Sequence, residues 1–274
     1  MEYSTISRYL KSIPISSAVN LLTAVIVLEG RYRFGALYDE LSHDADKVRG
    51  NQKFTKAELA NWASSQDIRK GIQRVKFEVK KRDLLTKPRR LKSNEFQILQ
   101  HLLVLSFYSE FHFRSDLPSI KLGHHKGQNM FKNGVIYLYD FKTAKKFQER
   151  GLLPLTYRPG RALATLLRKF IYIRSLQPEI THSYLIVNKS WGPVKRHSFY
   201  QYMSSLTYRY IGKRLGTSMF RHIYVTEFLA KGPSLEERKK FMYGMQQLSL
   251  ETQESYKRVR EPDESDDESG LSEE

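Results

Sequence analysis

The 274-residue sequence contains no cysteine. This absence excludes disulfide bonds, thiolate nucleophiles and zinc sites with cysteine ligands. Long apolar runs are also absent. The longest, from Ala18 to Leu28, contains Asn20 and Thr23 and is shorter than the roughly 20 residues that a membrane-spanning helix needs. No small-residue cleavage site of the kind that ends a signal peptide follows it, so we interpret the run as a core helix. We therefore expect a soluble intracellular protein without membrane contact.

Acidic residues are scarce in most of the chain. The sequence has 46 Lys and Arg against 29 Asp and Glu, a formal charge of +17, but eight of the acids lie in residues 261–274, which contain no base. Residues 1–260 therefore carry a formal charge of +25. A surface this basic predicts a polyanionic partner, with DNA favoured over acidic lipid. The acidic tail has few apolar residues, and we expect it to be disordered.

Helical patterns predominate in the rest of the chain. The composition, 40% apolar and 12% aromatic, is that of a folded protein that can bury one good core and a smaller second one. Thr55 with Glu58, and Ser234 with Glu237, match the spacing of helix capping boxes. Ser93 matches an N-cap before a strongly apolar helix.

One segment departs from the helical pattern. Residues 135–141 and 151–155 are rich in β-formers and flank a polar turn, which predicts two strands. The predicted fold is therefore mainly α with a small antiparallel β-hairpin or sheet, an α+β chain. We predict a smaller N-terminal helical domain at residues 1–85, a basic linker at 86–91 and a larger domain at 92–260.

A basic segment connects the two predicted domains. Residues 69–92 hold eleven Lys and Arg among apolar residues, with Pro88 near the end. A charge run of this kind is usually a solvated helix face, but beside a body charge of +25 a DNA-contacting segment is at least as well supported. The candidate DNA-binding residues are Lys80, Lys81, Arg82, Arg89 and Arg90.

Four short motifs follow one another in the predicted larger domain. They are "FRSDLPSIKL" with Arg114, "YDFKTAKKFQERGLLPL" with Lys142, "SMFRHIYVTEFL" with Arg221 and "MQQLSLETQESYKRV" with Tyr256. Their order and spacing resemble the catalytic domain of the tyrosine recombinases, the phage-integrase-like family that cuts and rejoins DNA strands. The resemblance covers residues 92–258 and implies that family's catalytic fold. It places residues 1–85 where such enzymes carry a core-binding domain.

The chemistry of phosphodiester transfer explains why these residue types are needed. Two guanidiniums can hold the negative charge on the non-bridging oxygens, a role for Arg114 and Arg221. A tyrosine that attacks the phosphorus forms an ester that conserves the bond energy, so we expect no cofactor and no metal, and Tyr256 is the candidate nucleophile. A lysine on a hairpin can protonate the leaving 5′-oxygen, and Lys142 is the candidate.

Two positions depart from the family pattern. The histidine that commonly lies three residues before the second arginine is Ser218 here, and the His or Trp nine residues before the tyrosine is Gln247. Neither side chain can act as a general base near neutral pH. His222 is the nearest candidate base, but we interpret it as a buried structural residue that braces the helix. Ser218 and Gln247 can still form hydrogen bonds, so these three are the predicted supporting residues of the site. The acid of the first motif, Asp116, stands one position earlier than the family's commoner glutamate.

We therefore predict a site-specific recombinase or integrase that forms a 3′-phosphotyrosyl intermediate and resembles integrases of mobile elements or viruses. The resemblance implies a homotetramer on double-stranded DNA, located with its target DNA (the host nucleus or viral replication site if viral). Two alternatives stay open: a catalytically inactive DNA-binding protein, which Ser218 and Gln247 favour, and a type IB topoisomerase. His124 and His125 have no third ligand at metal-binding spacing, so we expect no metal site.

Overall fold

The computed structural model describes residues 3–259, without the side chains of residues 48 and 49. The predicted acidic tail, residues 261–274, lies outside the described residues. None of the helices in the described part of the chain is long and apolar enough to cross a membrane. The chain divides into two compact units, one with residues 3–53 and Val259 and the other with residues 54–258.

Three helices form the first unit: α1 (Tyr3–Ser12), α2 (Ile15–Glu29) and α3 (Arg31–Gly50). Their shared core contains Leu10, Ala18, Leu22, Phe34, Leu37 and Leu41. The apolar run at residues 18–28 lies in α2, as predicted. Only part of it is core, however, because Val27 and Leu28 are exposed.

Nine helices form most of the second unit. They are α4 (Lys56–Asn61), α5 (Ser65–Lys81), α6 (Ser93–Glu110), α7 (Ala144–Gln148), α8 (Arg161–Ser175), α9 (Phe199–Ile211), α10 (Thr217–Leu229), α11 (Leu235–Gly244) and α12 (Leu250–Glu254). Eleven residues of α6 are buried, on all of its sides, which is typical of a helix inside a core. α5 and α8 pack against it. The predicted, mainly helical architecture is therefore confirmed.

A small mixed sheet interrupts the helices of the second unit. Its strands are β1 (Lys121–Leu122), β2 (Met130–Lys132), β3 (Val135–Leu138) and β4 (Leu155–Tyr157), in that spatial order. β3 pairs antiparallel with both β2 and β4, whereas β1 runs parallel to β2. β3 lies within the first predicted strand, at residues 135–141, but β4 shares only Leu155 with the second, predicted at residues 151–155. The segment between β3 and β4 contains α7.

The capping predictions can be compared directly with the helix ends. Both predicted capping boxes are present: Thr55 and Glu58 begin α4, and Ser234 and Glu237 begin α11. The prediction of Ser93 as an N-cap was wrong by one position, because Ser93 is the first residue of α6. Its hydroxyl donates to the Lys189 carbonyl oxygen instead of capping the helix. Local sequence therefore defines two of these three helix starts.

The border between the compact units falls at residues 53 and 54, earlier than the predicted linker at 86–91. The reason is that α5 packs against α6 and α9 in the second unit. The segment after α5 is also attached to this unit, because the Leu91 N–H donates to Gln177 Oε1 at 2.9 Å. A functional division at residues 86–91 stays a prediction.

Gly71 should be required for the contact between α5 and α9. A Cβ atom at this position would lie 2.6 Å from Ile211 Cγ1, so Gly71→Ala requires the Ile211 side chain or the helices themselves to shift. Overpacking costs about 1–3 kcal/mol and the better helix propensity of alanine returns about 1 kcal/mol, so we expect a net loss of up to about 2 kcal/mol in the free energy of unfolding. Gly244→Ala is the control, because a Cβ there meets open space. Equal urea midpoints for the two variants would contradict this close packing.

Candidate active site

Arg114 lies in the loop that follows α6. The Tyr108 hydroxyl donates a 2.6 Å hydrogen bond to the Arg114 carbonyl oxygen, which holds this loop against the end of the helix. The Arg114 side chain is half-buried, and its Nη2 donates to Tyr256 Oη at 3.3 Å. Two residues 142 positions apart in the sequence are therefore in direct contact.

Arg221 lies on α10 and is fully buried, with 0% of its surface exposed. Its Nη2 donates to the Met245 carbonyl at 2.9 Å and its Nη1 to the His112 carbonyl at 3.3 Å. Its Nε has no partner in residues 3–259. Burial lowers the pKa of Arg221 to about 10, so the side chain is still a cation at neutral pH. The site therefore contains a desolvated positive charge whose Nε–H donor is unpaired.

Tyr256 follows α12, and its ring lies over the Arg221 guanidinium, 4.8 Å from ring centre to guanidinium carbon. Burial alone would raise the pKa of Tyr256. The positive charges of Arg221, Arg114 and Lys142, with the hydrogen bond from Arg114, outweigh burial and lower the pKa below the ordinary value of 10.0. The hydroxyl of Tyr256 is therefore easier to deprotonate than that of an ordinary tyrosine.

Lys142 lies in the exposed loop between β3 and α7. It is close enough to Tyr256 for its charge to contribute to the lowered pKa of the phenol. The next residue, Thr143, donates through its hydroxyl to the Gln246 carbonyl at 2.9 Å, which attaches this loop to the segment before Tyr256. The four predicted catalytic residues thus gather in one region, and the choice of Lys142 among the lysines of the hairpin stays a prediction.

The three residues predicted to have supporting roles have different surroundings. His222 Nδ1 lies 2.9 Å from the Tyr256 carbonyl oxygen, and burial lowers the pKa of His222 to about 4. Ser218 is exposed in the first turn of α10. Gln247 is buried, and its Nε2 donates to the Thr252 carbonyl at 3.2 Å. His222 therefore contacts the main chain of the candidate nucleophile, whereas Gln247 is turned toward its own loop.

A hydrogen-bond network around the buried Asp116 was not predicted from the sequence. Gln246 Nε2 donates to Asp116 Oδ2 at 2.9 Å, and the Arg196 guanidinium donates to Asp116 Oδ1. Burial raises the pKa of Asp116, and the bonds from Gln246 and Arg196 act in the opposite direction. The network connects the loop of Arg114 to the segment before Tyr256. Arg196 and Gln246 lie 80 and 130 positions after Asp116 in the sequence, so no local pattern could have indicated these contacts.

The five predicted DNA-binding residues are all exposed. The three arginines form ion pairs: Arg82 with Glu78, Arg89 with Glu95 and Arg90 with Glu179. Lys80 and Lys81, in the last turn of α5, have no ion pair with any described residue. Their charges are the ones most available to a polyanion.

Of the adjacent histidines His124 and His125, His125 contacts residues that are close to it in the sequence. His125 Nε2 lies 3.1 Å from the Leu122 carbonyl oxygen, and the His125 N–H donates to Met130 Sδ at 3.3 Å. Across residues 3–259, no group of three or more His, Asp and Glu side chains is arranged to hold a metal ion.

Comparison with known proteins gives similarity in structure alone. No family model and no curated protein matches the sequence. Among solved structures, the chain is similar to XerA recombinase, with a TM-score of 0.50 and 13% identity over 93% of this chain and 77% of that one. Two structures of the XerH site-specific recombinase also match. The pre-cleavage complex with difH substrate has a TM-score of 0.48 and 15% identity, over 91% of this chain and 68% of that one. The post-cleavage complex with palindromic difH substrate has a TM-score of 0.47 and 14% identity, over 90% of this chain and 69% of that one.

At these identities, the likeness concerns the fold. The mainly helical second unit with its four-stranded mixed sheet has the architecture of the catalytic domain of tyrosine recombinases. This confirms the predicted fold class.

The pKa of Tyr256 should depend on Arg114. Arg114→Gln removes a positive charge and weakens the hydrogen bond to the phenol, so the pKa of Tyr256 should rise. NMR of protein labelled at tyrosine Cζ measures this pKa, with the Tyr256 signal assigned by its loss in Tyr256→Phe. Arg209→Gln, which removes an exposed arginine of α9 paired with Glu78, should leave the value unchanged. Equal pKa values of Tyr256 in both variants and the wild type would contradict the contact between Arg114 and Tyr256.

Proposed function

We propose that this protein is a tyrosine recombinase, a DNA strand transferase that cuts and rejoins double-stranded DNA through a covalent bond to Tyr256. The observation that carries this proposal is the placement of the phenol. Tyr256 Oη lies 3.3 Å from Arg114 Nη2, and the ring of Tyr256 lies over the Arg221 guanidinium. A nucleophile held between two guanidiniums is the arrangement that phosphoryl transfer to tyrosine requires.

The proposed cleavage begins when a DNA phosphate meets the two arginines. Because the Tyr256 ring lies over Arg221, the phosphate enters as the ring turns aside. Tyr256 Oη then attacks the phosphorus and loses its proton to water, which its lowered pKa favours. Arg114 and the unused Nε donor of Arg221 stabilise the charge on the non-bridging oxygens.

The bond from phosphorus to the 5′-oxygen breaks in the same step. Lys142 donates a proton to this oxygen, which leaves as a 5′-hydroxyl, and the phosphorus stays bound to the 3′-oxygen and to Tyr256. The ester retains the free energy of the original bond, so attack by a 5′-hydroxyl of another strand rejoins the DNA without a nucleotide cofactor. The Lys142 loop reaches the reaction because Thr143 attaches it to the segment before Tyr256.

Within this class, the unusual residues at positions 218 and 247 support an integrase of a mobile element or virus. The proposed assembly is a homotetramer around two DNA duplexes, located with its target DNA. The formal charge of +25 on residues 1–260 supports the choice of DNA as the partner.

A second candidate function is a DNA-binding protein that keeps the fold and has lost cleavage. Two observations favour it: Ser218 cannot act as a general base, and the Gln247 amide N–H is already used in a hydrogen bond to the Thr252 carbonyl. A type IB topoisomerase would use the same four residues and would relax supercoiled DNA without a preferred sequence.

A covalent DNA adduct should form at Tyr256. Incubation with a DNA library, denaturing electrophoresis and sequencing of the trapped fragments would show both the activity and its target. Tyr256→Phe should abolish the adduct and leave DNA affinity nearly unchanged, because only the nucleophilic oxygen is lost. Arg114→Ala should lower the rate of adduct formation by about 10²–10³-fold, the usual effect of removing one charge-stabilising donor.

Tyr243→Phe is the matched control for this experiment, since Tyr243 is another partly exposed tyrosine close in sequence. It should form the adduct at the wild-type rate. An adduct that mass spectrometry places on Tyr243 would overturn the assignment of the nucleophile. DNA binding with no adduct on any library member would favour the inactive DNA-binding protein.

The salt dependence of DNA binding should distinguish free from paired bases. The double variant Lys80→Gln and Lys81→Gln should reduce the log–log slope of affinity against salt by about 2, since each phosphate contact contributes about 0.9. The double variant Arg89→Gln and Arg90→Gln should change the slope less, because Glu95 and Glu179 already neutralise these arginines. Equal changes in the two double variants would show that the ion pairs open on DNA.

A further inference from the structure

The chain is held firmly just after Tyr256. The Arg258 side chain is only 13% exposed, and its Nε and Nη2 donate to Glu58 Oε1 at 3.0 and 2.9 Å. Its Nη1 donates to the carbonyls of Ser255 and Lys257, both at 3.0 Å. One guanidinium therefore binds the main chain on both sides of Tyr256 and attaches it to a carboxylate of α4.

His222 adds a second link to the same place. Its Nδ1 lies 2.9 Å from the Tyr256 carbonyl, and its Nε2 lies 3.2 Å from Arg258 Nη2. Burial and the nearby Arg258 lower the pKa of His222 to about 4, so the ring is neutral near pH 7. Arg258 can then donate to Nε2, which leaves the proton of the ring on Nδ1 to donate to the Tyr256 carbonyl.

The helix that carries Arg221 takes part in this arrangement. His222 follows Arg221 directly on α10, and the Thr226 hydroxyl oxygen of the same helix accepts a 2.9 Å hydrogen bond from the Arg258 N–H. Hydrogen bonds therefore attach the main chain around Tyr256 to α10, the helix that carries the buried Arg221.

Glu58 is ionised in this setting and uses its two oxygens differently. Burial alone would raise the pKa of Glu58, but the hydrogen bonds from Arg258 and from the Thr55 N–H outweigh burial and lower it. Oε2 accepts the Thr55 N–H at 2.9 Å and completes the capping box of α4, while Oε1 accepts from Arg258. The bond to Arg258 is thus separate from the cap.

We propose that Glu58 is a positioning residue for Tyr256. By holding Arg258, and through it His222, Glu58 fixes the main chain of Tyr256, so that the phenol reaches the arginines or moves aside by rotation of its side chain alone. This inference rests on the proposed function for its effect on catalysis. Glu58 lies 200 residues before Arg258 and outside the four motifs. A misplacement of about 1 Å in a reacting group can cost about 100-fold in rate.

Glu58→Gln tests the proposal, because the one amide oxygen of glutamine can still complete the capping box, whereas the NH2 group that replaces the second oxygen has neither the charge nor the acceptor that hold Arg258. In single-turnover assays at saturating DNA, adduct formation should slow by about 10–100-fold with unchanged DNA affinity. Glu237→Gln is the matched control, because Glu237 has the same capping role on α11 and no bond to Arg258 or His222. It should react at the wild-type rate.

A double-mutant cycle checks that the effect passes through Arg258. Arg258→Gln should slow adduct formation about as much as Glu58→Gln, and the double variant should be no slower than either one. Independent, multiplying effects of the two substitutions would show that Glu58 acts by another route.

A second measurement needs no reaction. If Tyr256 leaves the arginines when Glu58 no longer holds Arg258, the pKa of Tyr256, followed by NMR at tyrosine Cζ, should rise in Glu58→Gln. Loss of a nearby negative charge would by itself lower the pKa of a phenol, so the direction separates positioning from direct electrostatics. An unchanged or lowered pKa would overturn the proposal. A wild type that forms no adduct would overturn the proposed function instead, and the NMR result would still decide whether Glu58 places Tyr256.

Discussion

The candidate site depends on a guanidinium that is removed from water. Burying a cation costs free energy unless its N–H groups find acceptors, and the carbonyls of His112 and Met245 supply two of them to Arg221. One carbonyl belongs to the loop that presents Arg114, and the other to the segment that leads to Tyr256. The hydrogen bonds that offset the desolvation of the cation therefore also hold the two neighbouring parts of the site in place.

Packing keeps this cation where it is. Phe220 and Ile223, on either side of Arg221 along α10, are fully buried in the core, so the helix cannot turn without exposing them. The Tyr256 ring covers the guanidinium, and a cation over an aromatic face is a favourable contact. The resting position of the phenol is thus stabilised by the same charge that would hold a phosphate during the proposed reaction.

Ser218 and Gln247 raise the question of how Tyr256 would be deprotonated. Neither Ser218 nor Gln247 can accept a proton near neutral pH, so neither can act as a general base in the proposed reaction. Three cations act on Tyr256 and lower its pKa despite burial. In the proposed reaction, this electrostatic effect performs part of the work that a general base does elsewhere, since it favours the phenolate directly.

The sequence by itself determined the features that depend on neighbouring residues: the mainly helical class, the strand pair around a polar turn and the capping boxes at Thr55 and Ser234. The four motifs and their order along the chain could also be recognised from the sequence, because each motif is a short contiguous segment. Only the tertiary structure decided where the compact units divide and which side chains meet. Contacts such as Glu58 with Arg258, 200 residues apart, arise from the way whole helices pack, and apolar periodicity shows which face of a helix is buried but not what lies against it.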